Sequence, residues 1–371
     1  MKKASNPFFI SRYTDGQILC ERTELKIIKE HIPQNIVLYG NRRTGKTTLV
    51  RQLFAELEKS KNHDTLYIDL QATQNKEEAI AAITIAVYEK FGKSKSGLSP
   101  AFQAIFSQLG VSLDYHPYSG KPIFGTGPKS FTKTEKSLAA LGQYLSSRKK
   151  RVIVALDGFQ QISRYEEGNE EALFRGWVQQ HPQITFIFVG SPPKMMTDMF
   201  AVKNRPFYQS ARMVPLGTIP LSVYTTFIQR QFASKARTIS DPLVSKVYHL
   251  ARGEAYTVQL LCHRLIGMSK KVREEEVTLA LSDILDQYES TYADYARMLT
   301  RHQWNLFKAI AKEEQLFNPL SKDFVHKHSL GAVSTVSTAL KALEKLGLII
   351  HEDGAYFVHD VLISRWLARL V

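Results

Sequence analysis

The stretch GNRRTGKTT, residues Gly40–Thr48, decides the fold of this 371-residue chain. It matches the pattern G-x-x-x-x-G-K-[ST], follows the apolar run Ile36–Tyr39 directly, and precedes a segment with helical periodicity. Glycines in such a turn let backbone amides surround phosphate oxygens, and the helix that follows presents its positive N-terminus to the anion. The pattern therefore predicts a phosphate-binding loop between a strand and a helix.

The residues of this loop have separate predicted roles in binding ATP and Mg²⁺. Lys46 is expected to reach the β- and γ-phosphates, and the hydroxyl of Thr47 is expected to ligate Mg²⁺. The predicted nucleotide-binding residues of the loop are Gly40, Asn41, Arg42, Arg43, Thr44, Gly45, Lys46, Thr47 and Thr48.

The segments around the loop alternate between β-branched runs and helical patterns. The predicted strands are Ile36–Tyr39, Thr65–Leu70, Val152–Leu156 and Ile184–Val189, and the predicted helices are Thr48–Ser60 and Lys76–Phe91. This alternation predicts an α/β fold, a parallel sheet with helices on both faces. Residues 111–126 predict an inserted hairpin around a Pro-Tyr-Ser-Gly turn, whose aromatics and His116 could contact a partner or simply pack on their own domain.

The stretch VIVALDGFQQI, residues 152–162, predicts the metal-binding strand. Five apolar residues run into Asp157, the natural second ligand for Mg²⁺ beside Thr47. The next residue is Gly158, where many ATPases of this kind carry a glutamate that polarises the attacking water. Asp69, at the end of the neighbouring predicted strand, could supply the catalytic carboxylate instead, but a strand-end aspartate also commonly caps a turn.

One further polar residue lies at a strand end. Ser191 follows the strand Ile184–Val189 and Gly190. It could sense the γ-phosphate or orient water, or it could equally cap the next turn.

The C-terminal half has a different character. Helical periodicity predicts four helices, Pro220–Phe232, Asp241–Ala251, Ala255–Ser269 and Glu274–Tyr295, which would form a helical subdomain. The tail predicts the helices Gln303–Lys312, Ser321–His328 and a Ser-capped Ala332–Lys345, then two short strands around an Asp-Gly turn and a last helix, Val361–Leu370. Three helices followed by a two-stranded wing are typical of a winged helix-turn-helix domain.

The bulk composition is that of a soluble globular protein. The net charge is +14 with a pI near 9.5, which favours polyanionic partners without specifying one. Only Cys20 and Cys262 occur, far apart, which argues against a disulfide framework and fits a reducing compartment. The N-terminus has no long apolar run, and the longest apolar helix, Ala79–Tyr88, is too short to span a bilayer, so we expect a cytoplasmic location without membrane contact.

The order of motifs resembles the STAND-type P-loop ATPases known as archaeal-type ATPases, and in particular their bacterial members. The matching stretches extend over almost the whole chain: LCERTELKIIKEHI, GNRRTGKTTLVRQ, VIVALDGFQQI, FIFVGSPPKMM, RPFYQS and ALKALEKLGLI. The resemblance implies an AAA+-like core at residues 31–215 after a lead-in at 1–30, a helical lid at 216–295 and a winged helix at 296–371. It also implies that Arg22 and Glu24 lie near the adenine, although an exposed helical face with ordinary charge pairing explains both residues equally well.

Three departures from the family pattern concern catalysis. Gly158 replaces the usual glutamate, and Tyr208-Gln209-Ser210 replaces the Tyr-Gly-Arg of many relatives, which leaves Arg205 and Arg212 as stand-ins for an arginine finger. The lid segment Gly253–Tyr256 lacks the arginine that AAA+ relatives often use as a second sensor. We therefore expect slow hydrolysis, and we expect Gly158→Glu to accelerate it.

The winged-helix tail is a poor predicted surface for DNA. Its basic residues are opposed by nearly as many acidic ones, and the wing tip His351-Glu352-Asp353-Gly354 is acidic where phosphate contacts would require cations. The basic residues in question are Lys322, Lys327, Lys341, Lys345, Arg365 and Arg369. A role in packing or protein contact is favoured over DNA binding.

The sequence thus predicts an ATP- and Mg²⁺-binding, STAND-like molecular switch with slow ATP hydrolysis and an unidentified protein partner. Two alternatives remain at this point. One is an ATP-dependent DNA-binding factor similar to origin-recognition ATPases, and the other is a nucleotide-bound scaffold that does not hydrolyse ATP.

Overall fold

The computed structural model describes residues 6–10, 17, 19–94, 97–98, 112–115, 122–125, 134–166 and 168–370. The chain divides into two compact units. Of the described residues, the core unit contains residue 17 and those within 21–217, and the helical unit contains residues 218–370 together with 6–10, 19 and 20. None of the helices in the described ranges is long and apolar enough to cross a membrane.

The core unit is built on a five-stranded parallel sheet of order β2-β7-β8-β1-β9. Its strands are β1 (Ile36–Tyr39), β2 (His63–Asp69), β7 (Arg151–Asp157), β8 (Thr185–Gly190) and β9 (Arg212–Pro215). All six residues of β8 are buried, as expected for a central parallel strand covered on both faces. The α/β class predicted from the alternating pattern is confirmed.

Two apolar layers cover the two faces of this sheet. One face packs against α1 (Thr23–His31) and α2 (Lys46–Lys59), and the other against α3 (Lys76–Val87), α4 (Thr134–Ser146), α5 (Glu170–Gln180) and α6 (Pro193–Ala201). Phe159 lies at the centre of the second layer, with the rings of Phe188 and Phe207 at centroid distances of 4.6 and 5.2 Å. Because Phe159 directly follows Gly158, this packing anchors the turn after β7.

The region between α3 and α4 contains short additional elements. A π-helix (Tyr88–Gly92) extends α3, and two antiparallel pairs follow, β3 (Lys93–Ser94) with β4 (Gly97–Leu98) and β5 (Ser112–Tyr115) with β6 (Pro122–Gly125). The second pair occupies the segment predicted as an inserted hairpin. Its predicted Pro-Tyr-Ser-Gly turn and His116 lie outside the described residues.

The helical unit begins with five helices. They are α7 (Leu221–Ala233), α8 (Asp241–Leu250), α9 (Ala255–Met268), α10 (Glu274–Gln287) and α11 (Glu289–Met298). The prediction of one helix over Glu274–Tyr295 is wrong, because the backbone at Tyr288 (φ −102°, ψ 3°) separates α10 from α11. The N-terminal segment also belongs here: Phe8 is buried, with its ring 5.5 Å from that of Phe232.

A winged-helix arrangement completes the unit. It consists of α12 (Arg301–Glu313), α13 (Lys322–Lys327), α14 (Val333–Lys345), the antiparallel pair β10 (Ile349–Glu352) and β11 (Ala355–Val358), and α15 (Val361–Arg369). Leu316 adds an isolated bridge to Tyr356 at the edge of the wing. The predicted serine cap of α14 is wrong, because Ala332 is its N-cap residue, whereas Ser321 caps α13 through the Phe324 amide.

The lid helices and the winged helix share one apolar core and are joined by arginines. Arg365 of α15 donates to the carbonyl oxygens of His249 and Leu250, at 3.1 and 2.9 Å, and so satisfies the C-terminal end of α8. Arg252 donates in the other direction, to Val358 O (3.0 Å) and Ser364 Oγ (2.8 Å). Although the sequence predicted a separate lid and winged helix, these elements pack as a single unit.

Candidate nucleotide-binding site

The phosphate loop connects β1 to α2 and depends on two glycines. A Cβ atom on Gly40 would lie 2.3 Å from Leu216 O, so only glycine lets the loop pass the end of β9. Arg43 and Gly45 both have left-handed backbone conformations, with φ of 61° and 96°. α2 then begins at Lys46 with no side-chain cap, so its first amides face the loop.

Lys46 is buried beneath the phosphate loop. Its Nζ donates to the carbonyl oxygens of Gly40 (2.9 Å) and Asn41 (2.6 Å), both in the loop itself. Burial lowers the pKa of Lys46 to about 8, while the nearby Asp157 acts in the opposite direction. The ammonium group is therefore held at the loop, within reach of a phosphate that would replace the carbonyl contacts.

The two predicted metal ligands are in contact. Thr47 Oγ1 donates to Asp157 Oδ2 at 2.6 Å, and Tyr67 Oη donates to the same oxygen at 2.6 Å. Burial and the neighbouring carboxylate raise the pKa of Tyr67, so the phenol keeps the proton that it donates. Hard oxygen atoms of this kind, together with nucleotide phosphates, fit the coordination that Mg²⁺ prefers. Among the described residues there is no cluster of three or more acidic, histidine or cysteine side chains that would hold a metal alone.

The backbone conformation and the close approach of Gln71 require a glycine at position 158. Its φ is +79°, and a Cβ at this position would lie 2.8 Å from Gln71 N and 2.9 Å from Gln71 Cα. A glutamate cannot enter without displacing the chain after β2. The expectation that Gly158→Glu would simply restore a catalytic base is therefore not supported.

Asp69 lies beside Asp157, as the strand order predicted. The two residues are register partners in β2 and β7. However, Asp69 Oδ1 accepts a hydrogen bond from the Gln71 amide at 2.9 Å, which is the turn-capping arrangement. The structure favours this interpretation over a role for Asp69 as the catalytic base.

Ser191 lies at the end of β8, next to the same edge of the sheet. Its amide donates to Gln160 Oε1 at 3.2 Å, and Gln160 is only 1% exposed. α6 begins at Pro193 with Pro192 as its N-cap residue and without a side-chain cap, so Ser191 does not cap that helix. The serine is held in place by its backbone, and its hydroxyl is not used in capping.

Arg22 contacts the phosphate loop directly. Its guanidinium donates to the carbonyl oxygens of Thr44 and Gly217, the latter at 2.8 Å. Glu24 follows in the first turn of α1, two residues away. Arg22 thus connects the loop to the end of the core unit.

The remaining loop residues predicted to bind nucleotide lie around Lys46. Arg42 and Arg43 are exposed, and Thr48 is half-buried in α2. Thr44 is buried, with its hydroxyl bonded to Asn41 O at 3.0 Å.

The candidate arginine fingers occupy other positions. Arg205 pairs with Glu171 of α5, and Arg212 begins β9, where it is the register partner of Ile36. In the lid, Arg252 precedes Gly253 but donates to Val358 and Ser364 of the winged helix. Arg205 is therefore engaged in an ion pair within the core unit, and Arg252 in hydrogen bonds within the helical unit.

The basic side chains of the winged helix are largely engaged within the unit. Lys327 pairs with Glu313 at 2.7 Å, Arg365 with Glu314, and Arg369 with Asp286 at 2.7 Å. Lys322, Lys341 and Lys345 are exposed. At the wing tip, Asp353 and Gly354 form a turn with positive φ, and His351 stacks on Tyr356. Three of the six basic residues are therefore paired with carboxylates of the same unit, which offsets part of their positive charge.

Sequence reasoning missed three residues of the site, Arg51, Tyr67 and Gln71. Tyr67 and Asp69 alternate along β2 and so share a face, which could have suggested Tyr67. Arg51 lies one helical turn after Thr47, and its guanidinium stacks over the Tyr67 ring at 4.1 Å. The sequence does not indicate that Gln71 belongs to the site, because its position depends on how closely the chain after β2 approaches Gly158.

Comparisons with known proteins agree with this geometry. Residues 22–261 match the model of the ATPase domain found predominantly in Archaea, and residues 290–369 match a probable winged helix domain. No curated protein matches the sequence significantly.

Solved structures show the same fold at low sequence identity. A Walker-type ATPase of Pyrococcus abyssi has a TM-score of 0.63 at 20% identity, with coverage of 97% of this chain and 99% of that one. The ORC2 protein of Aeropyrum pernix, solved as ADPNP-ADP complexes, has a TM-score of 0.57 at 16% identity, covering 93% and 90%. The ORC1 protein of Aeropyrum pernix, solved in complex with DNA, has a TM-score of 0.53 at 15% identity, covering 95% of each chain.

The phosphate loop in its strand-to-helix setting, the Thr47–Asp157 pair and a family match over most of the chain agree with one another. This protein therefore belongs to the family of ATPase domains found predominantly in Archaea, with a winged helix domain following the ATPase domain.

Proposed function

We propose that this P-loop ATPase is a STAND-like, AAA+-like molecular switch that binds ATP with Mg²⁺ and hydrolyses it slowly. The observation that carries the proposal is the composition of the site. Lys46, Thr47 and Asp157 are in place for phosphate and metal, whereas Gly158 leaves no room for a general base. A positioned base typically contributes about 10²–10⁴-fold to the rate, so the bound nucleotide should persist.

Each binding residue has a proposed task toward the nucleotide. Lys46 exchanges its loop carbonyls for β- and γ-phosphate oxygens, and Thr47 and Asp157 hold the metal, with Asp157 oriented by Tyr67. Bound Mg²⁺ would neutralise phosphate charge. Arg22 fixes the loop and, with Ser191, completes the predicted site.

The apolar core shared by the lid helices and the winged helix supports the proposed role as a molecular switch. Since Arg252 and Arg365 connect the lid helices to the winged helix, a change in lid position caused by nucleotide would carry the winged helix with it. An unidentified protein partner would then bind with an affinity that depends on the position of the winged helix. A soluble, cytoplasmic location is part of the same proposal.

The proposal is tested by nucleotide titration of the full chain and of Lys46→Ala. We expect the variant to lose most of its affinity for a fluorescent ATP analogue in the presence of Mg²⁺, since it lacks the cation that meets the phosphates. Lys59→Ala at the other end of α2 is the control and should bind as wild type does. Unchanged affinity in Lys46→Ala would refute the assignment of the site.

DNA binding is the second candidate function, because the similar ORC1 structure was solved with DNA. The engaged arginines of the winged helix argue against it here. We expect the full chain to bind duplex DNA only non-specifically, with a dissociation constant of about 10⁻⁴–10⁻⁶ M at physiological salt. Nanomolar, sequence-dependent binding in a band-shift experiment with ATP present would favour the DNA-binding alternative.

A further inference from the structure

A row of polar groups crosses the carboxyl ends of three neighbouring strands. Gln71 follows β2, Gln160 lies in the 3₁₀ turn Phe159–Arg164 after β7, and Ser191 follows β8. The Ser191 amide donates to Gln160 Oε1 at 3.2 Å, and Gln160 Nε2 donates to Gln71 Oε1 at 3.1 Å. The row thus extends from the edge strand to the strand beside the phosphate loop.

The Ser191 amide at the buried end of the row determines the orientation of both glutamine side-chain amides. A backbone amide can only donate, so Gln160 must present its carbonyl oxygen to Ser191 and its amino group to Gln71. Gln71 in turn must present Oε1 to Gln160. Its own amino group, Nε2, is left as the outer end of the row, with no hydrogen-bond partner in the described part of the chain. Gln71 is exposed, so this end is open to a ligand.

Gln71 also lies where the side chain of a larger residue at position 158 would begin. The Cβ of any larger residue at 158 would lie 2.9 Å from Gln71 Cα. The side chain of Gln71 therefore starts close to the point where a glutamate at position 158 would start. Asp157, which accepts a hydrogen bond from the Thr47 hydroxyl, immediately precedes position 158 in the chain.

The main chain of Gln71 is held from two sides. Asp69 Oδ1 accepts from its amide at 2.9 Å, and Gln161 Nε2 donates to its carbonyl oxygen at 2.8 Å. Together with the bond from Gln160, these contacts restrict where the side-chain amide can lie before nucleotide binds. The donor Nε2 and the acceptor Oε1 of the Gln71 amide then determine which groups it can bind.

We propose that Gln71 is the residue that contacts the γ-phosphate and the attacking water, in place of a carboxylate at position 158. This inference rests on the proposed function. Nε2 donates to a γ-phosphate oxygen, and the second lone pair of Oε1 accepts a proton of the water. The water oxygen bonds to the γ-phosphorus, the bond to the β–γ bridging oxygen breaks, and the water proton leaves to a phosphate oxygen or to solvent. An amide orients the water without taking its proton, which accounts for slow hydrolysis.

Gln71→Ala tests the proposed contact with the γ-phosphate, and Gln71→Glu tests the proposed position beside the attacking water. In Gln71→Ala we expect ADP affinity to stay at the wild-type value, while the preference for ATP over ADP falls about tenfold through loss of a bond to a charged group. Gln71→Glu places a base beside the water, so phosphate release should rise by about 10² or more. Gln71→Asn keeps the amide but withdraws it by one methylene, and it should behave like Gln71→Ala.

Gln74→Glu is the matched control, because it makes the same charge change in the same exposed loop three residues later. It should leave both measurements unchanged, and thermal unfolding should show that every variant is folded at the assay temperature, with a lowered midpoint expected for Gln71→Ala because Gln160 Nε2 loses its acceptor. If all Gln71 variants retain the wild-type ATP preference and release rate while ADP binds normally, the role of Gln71 is wrong and the proposed function stands. If wild type binds neither nucleotide, the proposed function fails, and this inference with it.

Discussion

Gly158 and Gln71 show how backbone geometry excludes a side chain from the position after Asp157. The left-handed φ at Gly158 turns the chain into the Phe159 cluster, and the space above it is taken by the main chain of Gln71. The sequence reveals the missing glutamate, because Gly158 follows Asp157 directly. It does not reveal Gln71 or Tyr67, since both depend on the register between β2 and β7. The residues next to a motif and the strand-end Asp69 were predictable, whereas Gln71, which lies in the loop after β2, and the inward-facing Tyr67 were not.

Gly158→Ala is expected to destabilise the core unit by roughly 1–3 kcal/mol, because the new Cβ meets backbone atoms that cannot move aside and φ is unfavourable. The measurement is the free energy of unfolding in urea. Gly176→Ala in α5 is the control: nothing lies within 4 Å of a Cβ there, and alanine should be neutral or stabilising by up to about 1 kcal/mol. Equal stability of the two variants would show that position 158 tolerates a side chain.

At the scale of elements, strands were predicted best where apolar runs were continuous. β1, β2, β7 and β8 all appear within two residues of their predicted bounds. β9 was missed because Met213 and Val214 are its only apolar residues and Pro215 ends it. The packing of α4 on α5 was also beyond prediction. It relies on Gly142, where a Cβ would lie 2.1 Å from His181 Nε2 and 2.6 Å from Trp177 Nε1.

His181 should make the stability of this helix pair pH-dependent. Burial lowers its pKa below the ordinary value of about 6.5, and its Nδ1 lies 3.1 Å from Ser146 Oγ. The unfolded chain therefore takes up the proton first as the pH falls. The contribution of neutral His181 is complete above about pH 6.5 and is lost below it, by at most about 1.4 kcal/mol per pH unit.

Urea unfolding of wild type and His181→Gln between pH 8 and pH 5 checks this expectation. The stability of wild type should fall more steeply with acidification than that of the variant. His263→Gln in the helical unit is the control, and it should leave the pH dependence of the core unit unaltered. Parallel curves for wild type and His181→Gln would contradict the assignment.

At the scale of the whole molecule, the family and the order of segments were predictable, but the grouping into units was not. The motifs predicted a core, a lid and a winged helix as successive domains. The structure joins the last two through Arg252 and Arg365, which donate to the backbone carbonyl oxygens of Val358, His249 and Leu250, contacts that the sequence does not indicate. The burial of Phe8 in the helical unit was likewise unpredicted.

Arg365→Met should destabilise the helical unit by about 2–4 kcal/mol, because it removes the side-chain donor of Leu250 O and one of the donors of His249 O, which also accepts from the Arg252 amide. Hydrogen exchange should accelerate both at the end of α8 and in α15. Arg369→Met is the control, since its bond to Asp286 is at the surface and is worth at most about 1 kcal/mol. Faster exchange in α15 alone would mean that the lid and winged helix are not coupled.

The burial of Phe8 has a consequence for synthesis on the ribosome. Phe8 emerges well before its aromatic partners Phe227 and Phe232, which are made about 220 residues later. At about 5–20 residues per second, the N-terminal segment waits roughly 10–40 s for them. The core unit is complete by then and folds while an apolar segment ahead of it is still exposed. A chaperone that binds short apolar stretches would have its longest opportunity at this end of the nascent chain.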